Sequence, residues 1–212
     1  MPVDRKLASH IGKRRSIRRY RPAAIRRSVV KRMLAAATRA PSAHNRQPWR
    51  FAVLDDEASK DRLAAAMGER LRKDRMADGD DVAAIDADVV RSRARICDAP
   101  LVVVVSVDLR DMDNYPDERR SEAEYLMAVQ STAMAAQNLL LAAQSEGLGA
   151  CVMCAPLFCP DTVTAALNLP REWRPQMLVT IGAPARRGKK RPRLPLDDII
   201  VWPPRGGTRP AE

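Results

Sequence analysis

Leu101-Val102-Val103-Val104-Val105-Ser106-Val107 is the stretch on which the fold turns. It is a continuous apolar run ahead of a charged loop. A strand with one wet face alternates apolar and polar residues, and this one does not. The run therefore predicts a central sheet strand covered on both faces.

Working outward, residues 82–95 read as a highly charged helix and Asp78-Gly79-Asp80-Asp81 as a break before it. A further helix is expected over residues 58–73 and a strand over 49–54. Val29, Val30, Met33, Leu34 and Ala37 recur at helical spacing within residues 26–39, and Pro41 ends that helix. Beyond the run, a loop over 108–120 leads to a long helix over 121–146 that stops at Gly147. A short strand (149–153), a short helix (161–167) and an apolar strand (177–181) ending at Gly182 complete the series. Helices and strands thus alternate around one mixed sheet, without an internal repeat. The Pro-flanked Ile199-Ile200-Val201-Trp202 has little core nearby and is expected to pack on a partner subunit.

At 212 residues the chain supports one substantial core. Aromatic residues are only 4%, which leaves few platforms for stacking bases and disfavours a single-stranded nucleic-acid protein. The basic opening lacks the apolar segment of a secretory signal. Residues 125–143 carry no charge, but Gln130, Ser131, Thr132, Gln137 and Asn138 would be costly in hydrocarbon, so a buried helix and no membrane contact are expected. Cys97, Cys151, Cys154 and Cys159 are expected to be reduced structural thiols of a cytoplasmic protein. The Cys151-x2-Cys154-x4-Cys159 spacing invites a metal. The only histidines are His10 and His44, however, and Cys97 is distant, so no metal is expected.

The net charge of +11 is concentrated. Residues 1–32 hold twelve Lys or Arg against Asp4 alone, and residues 186–193 hold six against no acid. A nucleic-acid surface would spread such charge along a groove, and no nucleic-acid motif accompanies it. If the fold joins the clusters, they form a pocket for one small, multiply charged anion such as a cofactor phosphate. Within the first, Arg14, Ser16 and Arg18 would share one face of an extended segment, with Ile17 turned to the core. The loop Pro41-Ser42-Ala43-His44-Asn45-Arg46-Gln47-Pro48-Trp49 offers hydrogen-bonding groups suited to a planar heterocycle. There is no G-x-G-x-x-G, P-loop or nucleophile elbow, and histidine is scarce. That shortage suits an enzyme whose cofactor performs the hard step.

Arg14-Arg15-Ser16-Ile17-Arg18-Arg19-Tyr20, the Pro41–Trp49 loop, Glu146-Gly147-Leu148-Gly149-Ala150 and Gly182-Ala183-Pro184 with its basic tail together resemble the nitroreductase family over residues 10–200. The resemblance implies a single α+β, FMN-binding domain over residues 1–212. Its central mixed or antiparallel sheet would be flanked by helices, with the C-terminal extension on the partner of a homodimer. It also implies that Arg14, Arg15, Ser16 and Arg18 hold the FMN phosphate, ribityl chain and pyrimidine edge, and that Arg191 and Arg193 return to the phosphate. Pro41, Ser42, Ala43 and Asn45 would come from the other subunit along the ring, and Pro156, Leu157 and Phe158 would lie over the flavin near N5. No obligatory catalytic side chain is implied. Hydride would pass from NADH or NADPH through FMN to a nitroaromatic, quinone or other conjugated electron-poor acceptor.

Within the family, the loop is most similar to the flavin-reductase-like domain fused to the coenzyme F420 γ-glutamyl ligase, without the ligase half. This adds a reductase of a deazaflavin precursor as an alternative, beside a noncatalytic flavin-binding protein and the flavin-cleaving branch that makes dimethylbenzimidazole. Residues 70–95 and 108–120 are expected to shape the acceptor pocket, with Arg110, Arg119 and Arg120 as solvated surface.

Overall fold

The computed structural model describes residues 5–203, so the ends of the expected 1–212 domain lie outside the described residues. In chain order the elements are α1 (Arg5–Lys13), α2 (Arg27–Ala37), β1 (Trp49–Leu54), α3 (Glu57–Ala77), α4 (Val82–Cys97), β2 (Leu101–Asp108), α5 (Glu118–Ser145), β3 (Gly149–Met153), α6 (Pro160–Leu167) and β4 (Trp173–Gly182). Short 3-10 turns lie at Ala43–Asn45, Ala155–Phe158 and Leu196–Asp198.

The strands form one sheet in the order β1-β2-β4-β3, and every pairing between them is antiparallel. The expectation of a mixed sheet therefore resolves to an antiparallel one; the parallel contact is an isolated bridge between Ser16 and Ala150 at its edge. All eight residues of β2 are buried, as its unbroken apolar pattern requires. Val103 and Val105 face one core with Met33 of α2 and Leu139 of α5. Val102 and Val104 face the other with Leu63 of α3, Ile96 of α4 and Val163 of α6. Each such valine contributes about 1.5–3 kcal/mol by leaving water.

The helices begin where the chain supplies caps. Asp56, Asp81 and Asp117 accept hydrogen bonds from the amides of Ser59, Ala84 and Arg120 at the starts of α3, α4 and α5. α5 is long and apolar enough to cross a membrane by length and composition. It lies against the sheet instead, burying Ser131, Thr132, Ala135, Ala136, Leu139 and Ala143.

Two elements exceed the pattern in the sequence. The basic opening folds as α1, which docks on α5: His10 Nε2 lies 3.0 Å from the Leu141 carbonyl, and Gln144 donates to the His10 carbonyl at 2.6 Å. β4 starts at Trp173 rather than Met177, and the ladder absorbs Pro175 through an irregularity between Val105 and Ser106. The tail after β4 runs irregularly, leaving Leu194, Leu196, Ile199, Ile200, Val201 and Trp202 exposed on the single chain.

Candidate functional site

After α1 the chain extends along the open edge of β3. Ile17 donates its amide to the Ala150 carbonyl at 3.0 Å and is buried, as the period-two reading requires. Gly149 makes this approach possible, because a Cβ there would stand 2.5 Å from Ile17 Cγ1. Tyr20 pins the far end, its hydroxyl 2.6 Å from the Ile17 carbonyl and 2.9 Å from that of Thr180. Burial pushes this phenol well above its ordinary range. With Ile17 anchored inward, its neighbours point away from the core.

The segment after β4 returns to the same place. Arg21 and Ala185 donate backbone hydrogen bonds to Ala183 and Arg19, so the two basic stretches run side by side. Between them lies a cleft of about 790 Å³ lined by Arg14, Arg15, Ser16, Ile17, Arg18 and Arg19, by residues 186–191 and Arg193, and by Gln137 of α5. Ten of its sixteen lining residues are Arg or Lys and none is acidic. Such a donor set, with a hydroxyl among guanidinium and ammonium groups, fits a phosphate dianion. Gly188 lets the walls close, since a Cβ there would stand 2.5 Å from Arg15 Cβ.

Six sequence-predicted residues therefore meet: Arg14, Arg15, Ser16, Arg18, Arg191 and Arg193. Arg15 also turns back, donating to the Gly12 and Arg14 carbonyls at 2.7 Å. Sequence reasoning left out Gln137, Arg19 and residues 186–190 as individual lining groups. Gln137 had a visible signal, a polar residue inside an apolar helix, but not the face it would occupy.

Other predicted residues lie elsewhere in the single chain. Pro41, Ser42, Ala43 and Asn45 do not line this cleft. Their loop packs near the middle of α5, where the Ala43 amide donates to Ser131 Oγ at 3.3 Å. Ser131 precedes Gln137 by six residues, about 9 Å along the helix axis. Ser42 Oγ accepts from the Gln47 amide, and His44, Asn45 and Gln47 all adopt positive φ. Backbone strain of this kind concentrates at functional sites. Pro156, Leu157 and Phe158 form the turn after β3, with Pro156 buried and Leu157 and Phe158 52% and 78% exposed.

Residues 70–95 fold as most of the α3–α4 hairpin, laced by Arg70–Asp74, Arg72–Asp86 and Arg75–Asp88 pairs. Arg110 binds Asp108 at 2.6 Å and Arg120 pairs with Asp117. The Arg110 hydrogen bond holds the Asp108 carboxyl below its usual range against the opposing effect of burial. The four cysteines are free thiols, and among the described residues no group of three or more His, Cys, Asp or Glu gathers as a metal site.

An antiparallel sheet between two helical layers, with an acid-free cationic cleft at its edge, defines a class of small α+β cofactor-binding proteins. The chain belongs to the nitroreductase family, whose profile matches residues 11–183. It is 33% identical to an NADH dehydrogenase of Thermus thermophilus, over 90% of this chain and 92% of that protein. It is also 33% identical to a 5,6-dimethylbenzimidazole synthase of Rhodospirillum rubrum, over 81% of this chain and 78% of the other. A crystal structure of a nitroreductase-type protein in complex with FMN, from Desulfovibrio desulfuricans, superposes with a TM-score of 0.74 at 27% identity. That superposition covers 95% of this chain and 99% of that one.

Proposed function

We propose that this chain is a single-domain, homodimeric FMN-dependent oxidoreductase of the cytoplasm, driven by NADH or NADPH. The observation that carries the reading is the convergence of two basic segments, far apart in sequence, on one acid-free cleft. Bound there, FMN supplies hydride chemistry toward a nitroaromatic, quinone or other conjugated electron-poor acceptor.

The residues of the chain bind and orient. Arg14, Ser16, Arg18, Arg191 and Arg193 neutralise and hydrogen-bond the phosphate, while Arg15 braces the end of α1 and adds its charge. Pro156, Leu157 and Phe158 form the turn over the ring, reached along β3 from the phosphate end at Ser16 and Ala150. The partner subunit's Pro41, Ser42, Ala43 and Asn45 cover the ring and keep water from it. Dimerisation also supplies cover for the exposed tail side chains and for Leu126 and Met134 of α5.

The test is to purify the protein, reconstitute it with FMN, and titrate it anaerobically with NADH, NADPH and reduced F420. A yellow dimer bleached by a nicotinamide and recoloured by an acceptor is the expected result. No FMN uptake, or a monomer that binds FMN fully, refutes the proposal. Bleaching by reduced F420 alone would favour the deazaflavin-related alternative, and no bleaching by any donor a noncatalytic flavin protein.

A further inference from the structure

α4 carries three arginines, and the hairpin treats them differently. Arg91 pairs with Asp88 and Arg93 with Asp61, whereas Arg95 has no carboxylate partner among the described residues. Arg95 lines a second cavity of about 490 Å³, with Ser92 one turn earlier, Thr180 of β4 and the turn at Cys154 and Ala155. No acidic residue lines it, and it shares Arg18 and Arg191 with the phosphate cleft. The buried Cys151 thiol reports how closely these charges gather. Burial pushes the thiol up, while Arg18, Arg95 and Arg14 all pull it down.

The charges also outnumber the ligand. Ten cations face the first cleft and Arg95 adds to them from the second, whereas one phosphate monoester carries about two negative charges at neutral pH. Arg18, Arg95 and Arg191 are exposed, and the acid-free cavity they share leaves their guanidinium groups open to an anionic ligand rather than to an ion pair within the fold. Arginine forks match phosphate and carboxylate oxygens, and a serine three residues earlier shares its helix face and adds a donor.

We infer that Arg95 and Ser92 form an anion-recognition subsite for the second ligand of the reaction, selecting donors or acceptors that carry a phosphate or carboxylate group. This rests on the flavin reading, with Arg18 and Arg191 as the boundary between the cofactor's phosphate and the second ligand. A dinucleotide would bring the phosphate; an aromatic acid would bring the carboxylate.

The experiment titrates the FMN-loaded protein calorimetrically with inorganic pyrophosphate and, separately, with benzoate, in wild type and Arg95→Gln. At least one anion should bind once per chain, and the substitution should weaken it about tenfold or more. FMN affinity and the flavin absorption spectrum should stay unchanged. The anion that binds identifies the source, and the KM of the corresponding donor or acceptor should rise with kcat unaltered. Binding of neither anion, or equal binding by both proteins, overturns the inference. A parallel loss of FMN affinity also overturns it, because Arg95 would then belong to the cofactor's own grip. If the protein takes up no FMN, the flavin reading fails separately. The titration on the flavin-free chain then decides the subsite, a tenfold loss in Arg95→Gln supporting it and equal affinities removing it.

Discussion

Replacing Gly188 by Ala adds one methyl group between the two basic segments without touching a charge. The new Cβ would stand 2.5 Å from Arg15 Cβ and 2.9 Å from Ile17 Cδ1, where ordinary contact begins at 3.4 Å. Ile17 cannot yield, because it is buried and already close against Gly149. The 186–193 segment must therefore move out by about 0.9 Å. Gly188 is not among the positive-φ residues, so backbone strain adds nothing. Charge-assisted bonds to phosphate have their optimum near 2.7–2.9 Å and do not survive such stretching. Losing one of them costs about 1.5–3 kcal/mol, a fall of roughly ten- to 150-fold in FMN affinity. Fluorescence titration of FMN against the flavin-free protein measures it, with thermal unfolding recorded alongside. Because the segment lies outside the sheet, the unfolding midpoint should hardly change. FMN affinity within about twofold of wild type would refute the convergence of the two segments on the phosphate.

Two further outcomes follow from single groups. Asp108, buried at the end of β2 and ion-paired with Arg50 and Arg110, has a carboxyl held below its ordinary value. Its contribution is complete above the unfolded-state value of about 4 and is lost as pH falls through the lower folded-state value. Asp108→Asn should therefore cost about 1–3 kcal/mol at pH 7, limited by water reaching the two guanidinium groups, and should flatten the acid limb of stability in denaturant melts across pH. An unchanged acid limb would remove Asp108 from that role. Cys97, whose thiol donates to Asp61 at 3.1 Å, is pushed up to about 11 by burial and by that carboxylate. Iodoacetamide at pH 8 should label the exposed Cys154 and spare Cys97, which should react only as pH nears 11. Equal labelling at pH 8, read by peptide mass spectrometry, contradicts the assignment.

Much of the fold was legible because its signals are local. The bounds of β1 and β3 coincide with the expected strands, and β2 runs one residue further. The Asp78–Asp81 break separates α3 from α4 as expected. What the pattern hid depends on distant partners. α1 has no buried residue of its own and owes its place to His10 and Gln144 meeting across more than a hundred residues. The start of β4 is masked by Pro175, which cannot donate to a ladder, and the register shift opposite Val105 and Ser106, where β4 carries Gln176 as an extra residue, accommodates it.

By itself the sequence determined the layered α+β plan and the inward turn of Ile17, because apolar periodicity is a property of neighbouring residues. It also showed that Arg14, Ser16, Arg18, Arg191 and Arg193 belong to two basic clusters far apart in the chain, suited to one anion if the fold joined them. Only the tertiary structure decided that these five line one cleft, since the edge of β3 and the close approach at Gly149 and Gly188 bring the chain ends together. It alone set Arg95 apart from Arg91 and Arg93, because pairing depends on which carboxylates the packed hairpin brings within reach.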